Sequence, residues 1–159
     1  MGMDVYGRKP KNKKGEYFRN NVWFWHPLWS YCEINYPVIT SKCKEGHSNS
    51  GDGLNAGDAK KLAKLIEKDL ANGRAAKYEK EYKEWQESLV KETCTVCSGS
   101  KIIKFKSSQD GVELEQERPC GNCDENGLAE PWGLNYPFSL DNLKEWQEFL
   151  DNCGGFNIH

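Results

Sequence analysis

The sequence predicts an α+β fold in a single small domain spanning 1–159, and three observations carry that prediction. Apolar residues recur at helical spacing in two stretches between residues 55 and 92 and again near the C-terminus. Two short runs, 101–106 and 112–118, flank an Asp110-Gly111 pair in the pattern of a β-hairpin. Two Cys-x-x-Cys pairs bracket that hairpin, Cys94 with Cys97 before it and Cys120 with Cys123 after it. A chain of 159 residues suits one domain with one modest core. The expected architecture is an aromatic-rich N-terminal segment, a helical pair, a zinc-ribbon-like hairpin within a subregion 93–128, and a C-terminal helix closing the core.

Taken in order, residues 7–15 (Gly-Arg-Lys-Pro-Lys-Asn-Lys-Lys-Gly) lack hydrophobic periodicity and read as a basic loop. From Glu16 to Tyr36 the chain packs in Tyr17, Phe18, Trp23, Phe24, Trp25, Trp29, Tyr31 and Tyr36. Pro27 suits the first turn of a helix carrying Leu28 to Asn35, Pro37 stops it, and Val38-Ile39-Thr40 reads as a short strand. Residues 46–53 are rich in glycine, serine and asparagine, hence a loop. Asn55 is placed as an N-cap with Asp58 three residues on, and Ala59, Leu62, Ala63, Ile66 and Leu70 follow on one face up to a stop at Gly73. A second helix is expected from about Ala75 to Glu92, with Tyr78, Tyr82, Trp85 and Leu89 on one side and Glu79–Lys83 and Glu87–Lys91 as i,i+4 pairs. Ser139 caps a final helix with Leu140, Leu143, Trp146, Phe149 and Leu150 inward, ended by Gly154-Gly155 before a tail, Phe156 to His159.

Composition excludes some functions. Net charge is −2, against the strongly basic balance of a general duplex-DNA binder. The charge is uneven: residues 1–20 are basic, while from Asp124 onward Lys144 is the one cation among Asp124, Glu125, Glu130, Asp141, Glu145, Glu148 and Asp151. Head and tail are placed to bind each other or, as the composition favours, to be two solvated surfaces. No apolar run approaches the roughly 20 residues of a membrane span, and Met1-Gly-Met-Asp has no secretory h-region. Seven cysteines, four of them in the two pairs, suit a metal and a reducing compartment better than a disulfide framework, so a cytoplasmic location is expected.

Each Cys-x-x-Cys pair places two thiols on a tight knuckle, and the 22 residues between Cys97 and Cys120 return the chain so that the knuckles face. Cys94, Cys97, Cys120 and Cys123 then complete a tetrahedral shell for one zinc ion. Four thiolates leave no open coordination position, so this zinc is expected to be structural rather than catalytic.

Cys94-Thr-Val-Cys97-Ser-Gly99 and Cys120-Gly-Asn-Cys123-Asp-Glu-Asn-Gly127 resemble the Cys-x-x-Cys-x-Gly-x-Gly repeat of the DnaJ-type co-chaperone zinc region. The first pair keeps the first glycine and has Lys101 in place of the second; the second pair keeps only the second. There is no His-Pro-Asp triplet, so the resemblance implies the metal and not the chaperone activity. The whole chain also resembles a group of small uncharacterised proteins of bacteria and their phages. The matching segments are Gly15 to Trp23, His47 to Leu54, the cysteine pairs, Tyr136 to Ser139, and Cys153 to Phe156. That resemblance implies an accessory or counter-defence role in a mobile element.

The best candidate ligand site is Glu16, Arg19, Asn20 and Asn21 beside Trp23 and Trp25. Flat rings stack on a nucleobase for roughly 1–3 kcal/mol, and Arg19 or the lysine loop would meet a phosphate. The competing reading puts the tryptophans in the core, pairs Arg19 with Glu16 and makes the asparagines turn caps. Residues 52–58 resemble a calcium loop but lack the first acidic ligand, so a turn followed by a helix cap is favoured. Cys32, Cys43 and His47 match no common metal spacing. His47 with Asp52 is the one candidate acid–base pair.

These readings converge on a non-catalytic, zinc-stabilised binding protein that captures a phosphate-bearing small ligand such as a nucleotide or nucleotide messenger. Three alternatives stand beside it: an inhibitor or adaptor that binds a protein partner, an enzyme using His47 and Asp52, and a single-stranded nucleic-acid binder.

Overall fold

A computed structural model describes residues 2–109 and 112–159. The fold is α+β, with β1 (Gly2–Gly7), β2 (Tyr17–Asn21), α1 (Val22–Asn35), α2 (Pro37–Thr40), α3 (Ala56–Ala71) and α4 (Arg74–Ser88) in the first half. Then follow β3 (Glu92–Thr93), β4 (Ile102–Gln109), β5 (Val112–Pro119), β6 (Leu128–Ala129), α5 (Leu140–Asn152) and β7 (Phe156–Ile158). Two compact units form, one of Met1–Glu87 with Tyr136–His159 and one of Ser88–Asn135. Among the described residues no helix is long and apolar enough to cross a membrane.

In the larger unit the two chain ends make one antiparallel sheet, ordered β2-β1-β7. Met3, Val5, Phe18, Phe156 and Ile158 point inward, while Tyr6 and Tyr17 face solvent, as period-two alternation requires. The tail expected after Gly155 is therefore a strand. Its other edge is closed by the loop before α3, through Ile158 N–H to Asp52 O (2.8 Å) and Phe156 N–H to Leu54 O (2.9 Å). The Arg and Lys side chains of the basic head are exposed, as the solvated reading expects, while its backbone is anchored. Lys9 and Lys11 donate backbone N–H groups to Cys153 O and Asn152 O at the end of α5, and Lys14 pairs with Glu148 at 2.6 Å. That ion pair is exposed and worth little, so the backbone bonds carry the contact.

The helix expected to open with Pro27 starts at Val22. Asn21 is its N-cap, accepting from Phe24 N–H at 3.0 Å, and Pro27 sits inside α1. A proline there has no N–H for the carbonyl one turn back, a loss offset by burying Trp25, Leu28, Trp29 and Cys32 on the same helix. Val38-Ile39-Thr40 belongs to a short helix rather than a strand. Pro37 is pre-set for its first position, and Thr40 Oγ1 donates to Tyr36 O, which overrides β-branched preference.

The cap at Asn55 forms as the sequence implies: Asn55 Oδ1 accepts from Asp58 N–H at 2.9 Å, and Asn55 Nδ2 donates to Asp58 at 2.7 Å. Gly73, with φ of +81°, turns the chain into α4, whose first amide is met by Asn72 Oδ1. α3 packs most extensively on α5, through Ala59, Leu62, Ala63 and Ile66 against Leu143, Trp146, Phe149 and Leu150. α4 ends at Ser88 rather than near Glu92, because Glu92 and Thr93 pair with Ala129 and Leu128. Lys91 accordingly meets Asp124 (3.0 Å) and Glu130 (3.3 Å) instead of Glu87, whereas the Glu79–Lys83 pair forms.

The smaller unit holds two two-stranded sheets, β3-β6 and β4-β5. The hairpin is in register from Ile102↔Pro119 onward, with the charged pairs Lys104–Glu117 and Lys106–Glu113 at 3.1 Å each. Its Asp110-Gly111 turn lies outside the described residues.

Candidate functional site

The four expected cysteines come together within the smaller unit. Their sulfurs all lie within 4.8 Å of one another, with Cys94–Cys120 at 3.8 Å and Cys97–Cys123 at 3.6 Å. A zinc ion bound at about 2.3 Å by four sulfurs sets them about 3.8 Å apart at the corners of a tetrahedron, so the set fits a metal ion of that size.

Backbone geometry builds the two knuckles. Cys120 N–H donates to Lys101 O at 2.8 Å and Cys94 N–H to Gly127 O at 3.0 Å, so each pair is tied to the turn that follows the other. Lys101 N–H points at Cys97 Sγ (3.3 Å), a donor that stabilises a thiolate. Lys101 has φ of +66° and Gly127 +75°, the left-handed region. Glycine adopts it freely; a side chain at Gly127 would also meet Gly99 O at 2.3 Å. Lys101 takes the same backbone shape without glycine's freedom. Asp124 braces the second knuckle, accepting from Asn126 and Leu128 N–H and from Lys91, and these bonds hold its carboxyl below the usual range.

The thiols of the cluster are shifted in opposite directions. Burial pushes the Cys97 thiol up, but the Lys101 amide and the neighbouring sulfurs outweigh it and bring it to about 7. Burial, with Cys97 and Cys120 beside it, pushes Cys123 up to about 12. Four thiolates this close repel one another, and a divalent cation offsets that repulsion. Cys32 and Cys43 are different. Burial pushes each thiol up to about 12, as suits inert core groups, and they form no ligand cluster with His47 among the described residues.

The candidate ligand residues do not converge as a group. Trp25 is fully buried, stacked on Trp29 with ring centroids 5.8 Å apart, and donates its indole N–H to Gly46 O at 2.8 Å. Arg19 lies 3.6 Å from Asp4 across the sheet rather than on Glu16, because Asp4↔Arg19 is a register pair. Glu16 is exposed and closes a 3-10 turn at Lys13–Gly15, Asn20 donates to Asn142 at 2.8 Å, and Asn21 caps α1. His47 and Asp52 are not partners. Asp52 accepts backbone N–H from Glu45 (3.0 Å) and Gly53 (2.7 Å), bonds that hold its carboxyl low.

Trp23 and His47 are instead linked through Tyr136 and His26, neither of which the candidate ligand set included. Trp23 meets Tyr136 with centroids 5.0 Å apart, Tyr136 meets His26 at 5.9 Å, and His26 meets His47 at 4.9 Å. His47 Nε2 is 3.0 Å from Glu33 Oε2, and its Nδ1 is 2.7 Å from His26 Nδ1. Burial, then His47, lowers the His26 pKa. The loop before α3 is seated by Gly46, where a Cβ would lie 2.1 Å from the Trp29 indole nitrogen. His26, Trp29 and Glu33 share one face of α1, a spacing legible only once the helix is known to begin before Pro27; nothing local marks Tyr136. Comparison with family models, with curated proteins and with solved structures finds no match for this chain.

Proposed function

We propose that the chain is a non-catalytic binding protein whose smaller unit is organised by one structural zinc ion. The observation that carries this reading is the four-sulfur cluster, with spacings that match a filled tetrahedral shell. A filled shell leaves no position for water or substrate, so the ion acts on folding rather than on chemistry. The ligand is proposed to be a phosphate-bearing small molecule of the nucleotide class. Supporting this are the partly exposed rings Trp23, Tyr136, His26 and His47, which offer stacking faces. Resemblance to small proteins of bacteria and phages supports an accessory or counter-defence role.

Native mass spectrometry of protein purified from lysate tests both parts. One zinc per chain and an added nonprotein mass are expected, and a folded sample without metal defeats the zinc reading. Tryptophan fluorescence should be quenched on titration with a nucleotide panel, and Trp23→Ala should weaken binding by roughly 1–3 kcal/mol if a base stacks there. Unchanged affinity in that variant rejects the ring row as the ligand face.

A protein partner is the second reading, favoured by exposed apolar residues in the smaller unit. Phe105 and Leu114 are exposed on the hairpin, and Trp132 is 69% accessible. A nucleotide panel without effect, together with a co-purifying protein lost in Trp132→Ala, would select it.

A further inference from the structure

We propose that His26 and His47 form a second metal site, in which a divalent transition-metal ion is held between their Nδ1 atoms with Glu33 orienting His47. The site is separate from the four-cysteine centre and uses two rings, His26 and His47, of the row proposed above as the ligand face.

Glu33 Oε2 lies 3.0 Å from His47 Nε2, and an ionised carboxylate only accepts, so Nε2 carries the proton. In neutral His47 the lone pair is then on Nδ1, which faces His26 Nδ1 at 2.7 Å. His26 in the tautomer protonated at Nε2 presents a second lone pair to the same point. At 2.7 Å the two nitrogens share one hydrogen, which a neutral His26 carries on Nδ1, and a metal ion takes that place by releasing this proton to solvent while His26 takes the Nε2–H tautomer. A histidine that ligates through one ring nitrogen while donating from the other to a carboxylate is the recurrent outer-shell arrangement of metal sites.

The surroundings are built for it. Glu33 is itself held by Trp29, whose indole N–H donates to Oε1 at 3.0 Å. The backbone beside His47 is fixed by the bond from Trp25 Nε1 to Gly46 O. Two nitrogens bound at about 2.0–2.1 Å to one ion lie about 3.0–3.4 Å apart, so the rings need only open by under about 1 Å. His47 sits on a loop and is partly exposed, which makes that adjustment small. Two imidazole ligands select zinc, nickel or copper ions over calcium or magnesium. They leave coordination positions for water or an anionic ligand, unlike the closed shell of four sulfurs.

The test uses full-length protein already carrying one zinc, titrated with Ni²⁺ by calorimetry and native mass spectrometry. Wild type should bind one Ni²⁺ beyond the zinc. His26→Ala and His47→Ala should each abolish that equivalent, Glu33→Gln should weaken it by about 10–100-fold, and His159→Ala should leave it intact. Retention of zinc and an unchanged circular dichroism spectrum would show that the variants fold. Absence of a second equivalent in wild type, or its survival in His47→Ala, overturns the proposal. As an independent readout, ¹⁵N imidazole spectra should show both Nδ1 resonances shifting on Ni²⁺ or Zn²⁺ addition; a shift of neither would equally overturn it.

Discussion

The larger unit buries Trp25, Trp29, Trp146, Phe149 and Phe156 almost completely, and Trp146 lies within about one ring of most of the others. Its centroid is 5.0 Å from Phe18 and 5.3 Å from each of Trp25, Phe149 and Phe156. The smaller unit buries three sulfurs with Ile103 and Ala129 partly covered, and exposes Val96, Phe105, Leu114 and Trp132. A buried large aromatic contributes roughly 150–250 Å² of contact, so the first unit is held by burial spread over many side chains. Two-stranded sheets are marginal by themselves, so the second is held by a few atoms at one point. Spread stabilisation degrades by degrees; point stabilisation fails at once.

The largest expected effect follows from that contrast. Replacing Cys97 and Cys123 together by serine should remove amide-exchange protection throughout 88–135 while α1, α3 and α5 keep theirs. Loss of protection in both units at once would show that the cysteine cluster supports the whole chain rather than one unit of it. Next is Trp146→Ala, which should cost about 3–5 kcal/mol in denaturant unfolding and leave the metal content of the protein as it is in wild type. A cost under about 1 kcal/mol would mean that the ring cluster is not where the larger unit's stability lies.

Acid gives a smaller, directed effect in the larger unit. The Lys42 ammonium, 2.7 Å away, and then Asn55 hold the buried Asp58 carboxyl below its usual value. Since the folded pKa is the lower one, the contribution is fully present above the unfolded value of about 3.9 and is lost as pH falls through the folded value. Asp58→Asn should flatten this part of the stability–pH curve below about pH 4, and an unaltered curve would dismiss the pair as a stabiliser. The smallest effect sharpens the account of the knuckle: Lys101→Gly should raise the smaller unit's stability by up to about 1 kcal/mol, because a left-handed residue with a side chain is strained. Destabilisation instead would show that the lysine side chain matters more than its backbone.

Much of this was legible in particular residues. Asn55 with Asp58, Ser139 before Leu140, and Gly154-Gly155 after α5 announce helix ends, because a cap bonds within three residues of itself. Each cysteine pair is local in the same way, and the hairpin of 22 residues between them is what announces that the pairs meet. Pro27 misled, since a proline read locally opens a helix, while burial of Trp25 and Trp29 on both sides of it holds the helix through. Val38 to Thr40 misled because β-branched preference is weak beside a proline that starts a turn. The strands β1 and β7 left a trace, Met3 and Val5 alternating outward-facing neighbours and Phe156 with Ile158 doing the same, but runs this short do not identify their partner.

The helix caps, the apolar faces of α3 and α5, and a pair of thiols on each knuckle could be read locally. Each is settled by groups a few residues apart, where chain geometry leaves little choice. Tertiary structure alone decided that the first strand pairs with the last and that Trp25 is core while Trp23 is surface. It alone decided that His47 meets His26 and Glu33 rather than Asp52. Those outcomes depend on which distant segments share a core, and no local spacing encodes contacts between residues that meet only after the core has formed.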